Sequence, residues 1–135
     1  MAYKIIEIEG VGEAYAAKLE AAGVKTVEDL LAACATAKGR KEMAEKTEIS
    51  EKLILRWTNH ADLFRIKGVG PQFAELLEAA GVDTVKELRH RKAENLVAKL
   101  EEVNAEKNMV NRVPSLSEVT KIIEEAGELE AVMTY

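Results

Sequence analysis

An all-α fold follows from three features of this 135-residue chain. Residues 8–30 return at 66–88, 58 positions later, with 14 of the 23 aligned residues identical. One supersecondary unit is therefore used twice. Ala, Glu, Lys and Leu abound, aromatic residues make up 4% of the chain and there are two prolines. That is the composition of a helical protein, and the alternating β-branched and aromatic runs of strands are absent.

In the first copy, Tyr3 to Glu7 reads as a short helical turn with Ile5 and Ile6 pointing inward. Gly10-Val11-Gly12 interrupts it, and Glu13 to Ala22 resumes as a helix whose Ala16, Leu19 and Ala22 make an apolar stripe beside Tyr15. Gly23 stands where a left-handed residue closes a helix. Thr26 with Asp29 forms a capping-box variant that opens a helix from Val27 to about Cys34. Thr36 caps a charged helix from about Lys38 to Lys46. Its Lys38, Arg40, Lys41 and Lys46 alternate with Glu42 and Glu45, the pattern of an ion-paired surface helix. Ser50 caps a longer helix with Leu53, Ile54, Trp57 and Ala61 on one face, so Trp57 is assigned to the core.

That helix runs through Leu63 and Phe64 into the second copy without a linker. Pro71 takes the first helical turn, where its missing N–H costs nothing. Gly81 repeats the closing role, and Thr84 with Glu87 reads as a complete T-x-x-E capping box. A helix from about Ala93 to Glu106 turns Leu96, Val97, Leu100 and Val103 inward. Asn104 to Pro114 is an irregular stretch. Ser115 or Ser117 caps a last helix with Val119, Ile122, Ile123 and Ala126 on one face, and residues 128–135 are expected to fray.

Helix, tight h-x-G-h-G turn, helix is the helix-hairpin-helix pattern. The expected architecture is thus tandem helix-hairpin-helix repeats, a helical bundle like the SAM domain. A first repeat over 1–60 and a second over 61–135 form a pseudo-two-fold pair sharing one core in a single compact domain, because roughly 60 residues bury little core alone. In the turn, both glycines are expected to take backbone angles that a Cβ would obstruct, with the hydrophobe between them plugged into the core. The N–H groups opening the next helix then point outward at the positive end of its dipole, a nest for phosphate that reads no base.

The two turns differ in charge. Glu7, Glu9 and Glu13 surround Gly10, Val11 and Gly12, where the second copy has Arg65, Lys67 and Pro71. The first hairpin is therefore assigned a structural role, since Glu13 satisfies the helix dipole itself. The second is the candidate for nucleic acid, through Arg65, Lys67, Gly68, Val69, Gly70 and Gln72. The densest basic run, Lys86, Arg89, Arg91 and Lys92 with His90, follows it. Pure helix packing at the hairpin, and a solvated helix end for the basic run, are the competing readings.

The stretch from Ile8-Glu9-Gly10-Val11-Gly12 to Thr26-Val27-Glu28-Asp29-Leu30, with Ile49-Ser50-Glu51-Lys52-Leu53, resembles the small N-terminal helical domain of archaeal and eukaryotic RecA-like recombinases. Nearly the whole chain resembles a family of bacterial and archaeal proteins catalogued as a domain of unknown function with tandem helix-hairpin-helix units. The resemblance implies an all-α fold and backbone contacts to nucleic acid. The recombinases' ATPase core has no counterpart, as no G-x-x-x-x-G-K-[ST] occurs.

Charge and cysteine usage narrow the function. Net charge is −5, and the balance is 9 basic against 11 acidic residues up to Leu63, and 10 against 13 after it. This balance argues against a generic polyanion binder, so any nucleic-acid site must be a local basic patch. Cys34 stands alone, which rules out an internal disulfide and thiolate-rich metal sites. His60 and His90 have no paired ligand spacing, no nucleophile–base set stands out, and helix-hairpin-helix glycosylases need a catalytic Asp that is not evident here. The expectation is no catalysis, no cofactor and no metal. It is also a cytoplasmic monomer that avoids membranes and binds DNA or RNA phosphates weakly and salt-dependently, or else a protein partner.

Overall fold

The computed structural model describes residues 3–135, which hold eight α-helices. These are α1 (Glu13–Ala21), α2 (Val27–Cys34), α3 (Ala37–Thr47), α4 (Glu51–Leu63), α5 (Pro71–Ala79), α6 (Val85–Arg89), α7 (Ala93–Lys107) and α8 (Leu116–Glu128). A 3-10 turn over Ile5–Glu7 precedes α1. Pairing of strand type is limited, among the described residues, to one isolated bridge between Lys4 and Thr26. The all-α expectation holds. No described helix is long and apolar enough to cross a membrane.

The chain divides into two units, one of residues 1–62 with Val132–Tyr135 and the other of residues 63–131. In the first, Ile5, Ile8, Val11, Leu19, Leu30, Ile54 and Trp57 are buried. The Tyr15 ring meets Trp57 edge-on, with centroids 5.0 Å apart. Apolar side chains of this size contribute about 1.5–3 kcal/mol each when withdrawn from water. Cys34 lies in the same core, and burial pushes its thiol pKa up. Ile6 departs from expectation: it is 43% exposed, because a three-residue 3-10 turn can send only one of two adjacent side chains inward.

Two further expectations fail in this unit. Arg40, read as part of a solvated helix face, is buried. Its Nη1 donates to the Cys34 and Ala35 carbonyls, both at 3.0 Å, closing the open end of α2. Its Nη2 donates to the Thr134 carbonyl at 2.7 Å. The end of the chain is accordingly docked rather than frayed. Thr134 N–H donates to Ala35 O at 2.9 Å, the Tyr135 hydroxyl donates to Asn59 Oδ1 at 3.3 Å, and the Tyr135 ring lies under the Arg40 guanidinium. A buried guanidinium needs acceptors for its donors; the end of α2 supplies two carbonyls and the chain terminus a third.

The second unit packs α5 to α8 around Leu63, Ile66, Val69, Leu77, Leu88, Leu100, Val119 and Ile122. Ser115, not Ser117, caps α8: its hydroxyl accepts the Glu118 N–H and the Glu118 carboxylate accepts the Ser115 N–H, each at 3.2 Å. Helix α7 closes on Asn108 in the left-handed conformation. The Asn104 side chain then holds Val110 through its N–H and its carbonyl, at 2.9 and 3.0 Å, so the irregular stretch is fixed at its start.

Candidate functional site

The second Gly-Val-Gly turn is built by two backbone bonds. Ile66 N–H donates to Leu63 O and Val69 N–H to Ile66 O, each at 3.1 Å. Val69 is thereby driven into the core at 2% exposure. The first turn has the corresponding bonds, Ile8 N–H to Ile5 O at 3.3 Å and Val11 N–H to Ile8 O at 3.0 Å, with Val11 buried. Beyond the turns, α1 and α5 close alike. Gly23 and Val24 donate to Glu20 O and Leu19 O, as Gly81 and Val82 donate to Glu78 O and Leu77 O.

The two glycines of each turn are not equivalent, contrary to the expectation that both need unusual angles. Gly10 and Gly68 have φ of +94° and +92°, a region that L side chains rarely adopt. Gly12 and Gly70 are extended, at φ −86° and −103°. They are the N-caps of α1 and α5, and having no side chain they cap nothing. In α1 the first turn carries Glu13. In α5 it carries no acidic residue and begins with Pro71, so the dipole there has no local counter-charge.

Of the basic side chains assigned to this site, Lys67, Lys86 and Lys92 are exposed. The arginines are engaged within the unit. Arg65 Nη2 donates to the Glu130 carbonyl at 2.7 Å, and Arg89 Nη2 to the Leu129 carbonyl. Arg91 donates to the Glu87 carboxylate at 2.7 Å and to the Gly81 carbonyl at 3.0 Å. This last pair corrects the expected capping box at Thr84. The Thr84 hydroxyl accepts the Glu87 N–H at 3.2 Å, but the Glu87 carboxylate turns to Arg91. A guanidinium four residues on offers a charged two-point partner that a neutral amide cannot match.

Three features beside the turn were not assigned to the site from sequence. The Glu125 carboxylate accepts the Lys67 N–H at 3.0 Å. A groove of about 310 Å³ runs beside the turn, with Gly68, Gln72, Phe73 and Leu76 on one side and Val110, Asn111, Arg112 and Pro114 on the other. At its rim Arg112 grips the Glu118 carboxylate through two bonds of 2.8 and 3.0 Å. These two bonds, with those from Ser115, hold the Glu118 carboxyl down at a pKa of about 2. In the sequence, Glu118, Glu124, Glu125, Glu128 and Glu130 read as a solvating run or as a polyanion mimic, and their spacing does not show which partners they take.

A family model described as a domain of unknown function (DUF4332) matches residues 9–129. The chain belongs to that family. The DUF4332 match includes both Gly-Val-Gly turns and ends just before the docked terminal residues. No curated protein and no solved structure matches the chain.

Proposed function

We propose that this DUF4332 chain is a non-catalytic tandem helix-hairpin-helix module whose second hairpin binds the phosphate backbone of nucleic acid, DNA in the first instance, without reading sequence. The carrying observation is the bare start of α5: a glycine N-cap, a proline at the first position and no acid in the first turn. Its orphan N–H groups, on Gln72 and Phe73, suit a phosphate oxygen, and the exposed Lys67 adds charge beside them. Helix α1 has the same bare glycine cap, but Glu13 occupies its first turn and Glu9 replaces the lysine. One hairpin is thus equipped for an anion and the other is self-neutralised.

Titrating a labelled duplex with the chain at low salt tests this reading. Lys67→Glu abolishes the weak binding expected of wild type, and Glu9→Lys strengthens it. Each phosphate contact changes the logarithmic salt slope by about 0.9, so a hairpin making few contacts has a shallow slope. No binding by wild type or by Glu9→Lys would sink the proposal.

A second reading, a protein-interaction module whose hairpins only pack helices, draws support from the net charge of −5 and from the internal engagement of Arg65, Arg89 and Arg91. Nucleic-acid binding unaffected by Lys67→Glu, or absent throughout, favours it.

A further inference from the structure

The backbone of the second turn and two arginines assigned to the nucleic-acid face are bonded to acceptors from a single stretch. The Lys67 N–H, inside the second turn, donates to the Glu125 carboxylate at 3.0 Å. Arg65, two residues earlier, donates to the Glu130 carbonyl, and Arg89 donates to the Leu129 carbonyl. Glu125 lies in the last turn of α8, and Leu129 and Glu130 follow its end. This is the negative pole of a helix whose last turn contains no basic residue of its own. A full carboxylate charge and two carbonyl oxygens therefore sit on the turn N–H and on two arginines assigned to the phosphate face.

We infer that residues 125–130 are an intramolecular cover, an anion stand-in that occupies the Lys67 N–H, Arg65 and Arg89 until a polyanion displaces it. The inference rests on the hairpin reading above. The cover differs in kind from the neutralisation of the first hairpin, where Glu9 and Glu13 belong to the turn and cannot leave it. Glu125 is more than fifty residues from Lys67 in sequence, and their bond lies at an exposed surface. Water competes readily there, and a duplex offers many phosphates to each donor. Arg65 and Arg89 then have two states, one on the α8 carbonyls and one on phosphate.

The test compares the full-length wild type with Glu125→Ala and Glu124→Ala. Both variants lose one negative charge, both gain a strong helix former, and only the first loses the acceptor of the Lys67 N–H. Two readouts are taken: low-salt anisotropy with a short fluorescein-labelled duplex, and hydrogen exchange of the Lys67 amide by NMR. The cover requires faster Lys67 exchange in Glu125→Ala alone. It also requires duplex binding about three- to tenfold tighter than that of Glu124→Ala, the range expected for one ordinary hydrogen bond at an exposed surface. Unchanged exchange in Glu125→Ala overturns the cover without reference to nucleic acid. Measurable but equal binding by the two variants overturns the cover and leaves the hairpin reading standing. If Lys67 exchange accelerates and neither variant binds, the hairpin takes no phosphate and both inferences fall.

Discussion

Within each Gly-Val-Gly turn the two glycines serve different ends. Gly68 is held at φ +92°, yet a Cβ there would meet no atom within 4 Å. Its cost on substitution is therefore backbone strain without a clash. Gly12, at φ −86°, likewise faces open space. Gly68→Ala is expected to destabilise the protein by about 1–3 kcal/mol, the usual cost of a non-glycine residue at such angles. Gly12→Ser is expected to stay within about 0.5 kcal/mol of wild type, since serine is also a good N-cap. Urea unfolding of the two variants measures the difference, and equal losses would show that both positions are set by conformation. The second glycine of the motif is better understood as a missing side chain, leaving the end of the next helix open.

Helices in this chain are closed by charges brought from outside their own turns. Arg40 closes α2, Arg91 binds the Gly81 carbonyl after α5, and Arg65 and Arg89 meet the residues that follow α8. At the start of α8 the carboxyl of Glu118 is lowered from 4.5 to about 2, first by the Arg112 hydrogen bond and then by the Ser115 N–H and hydroxyl. A carboxyl depressed in the folded state stabilises it fully above the unfolded value, and that contribution is lost as pH falls from about 4.5 toward 2. Carboxyl NMR across that window should find Glu118 titrating near the bottom of the range. Arg112→Ala should move its midpoint furthest back up, and Ser115→Ala less far. A wild-type midpoint near 4.5 would show that Arg112 and Glu118 separate in solution, as exposed pairs often do.

For the whole molecule, opposite charges around the two Gly-Val-Gly turns invite head-to-tail association, the acidic first turn of one copy against the basic second turn of another. Such heterologous contacts close into rings or grow as filaments. Exposed ion pairs contribute only about 0–1 kcal/mol each and need apolar contact beside them. Among the described residues, the large apolar ones that stay exposed, Ile6, Leu116 and Tyr135, are scattered singly along the chain. Sedimentation velocity is therefore expected to find a monomer at both low and high salt. A salt-sensitive oligomer that Glu9→Lys dissolves would overturn that expectation.

The sequence alone determined what depends on neighbours a few residues apart. Helical class, the buried Val11, Val69 and Trp57, the caps at Thr26, Thr36 and Ser115, and the glycine closures are written in local periodicity and in residues whose backbone preferences act within one turn. The charge contrast between the hairpins is likewise a matter of reading Glu9 against Lys67. Tertiary structure alone decided which charged groups remain free to act. Arg40 reads like its neighbours on a solvated helix, yet the end of α2 and the docked terminus bind it, and Arg65 and Arg89, assigned from sequence to the nucleic-acid face, are held by carbonyls that follow α8. Glu125 was one acid among several until folding set it on the Lys67 N–H, 58 residues away. A long charged side chain takes whichever partner the fold brings within about 3 Å, and no pattern confined to one helix records where that partner comes from.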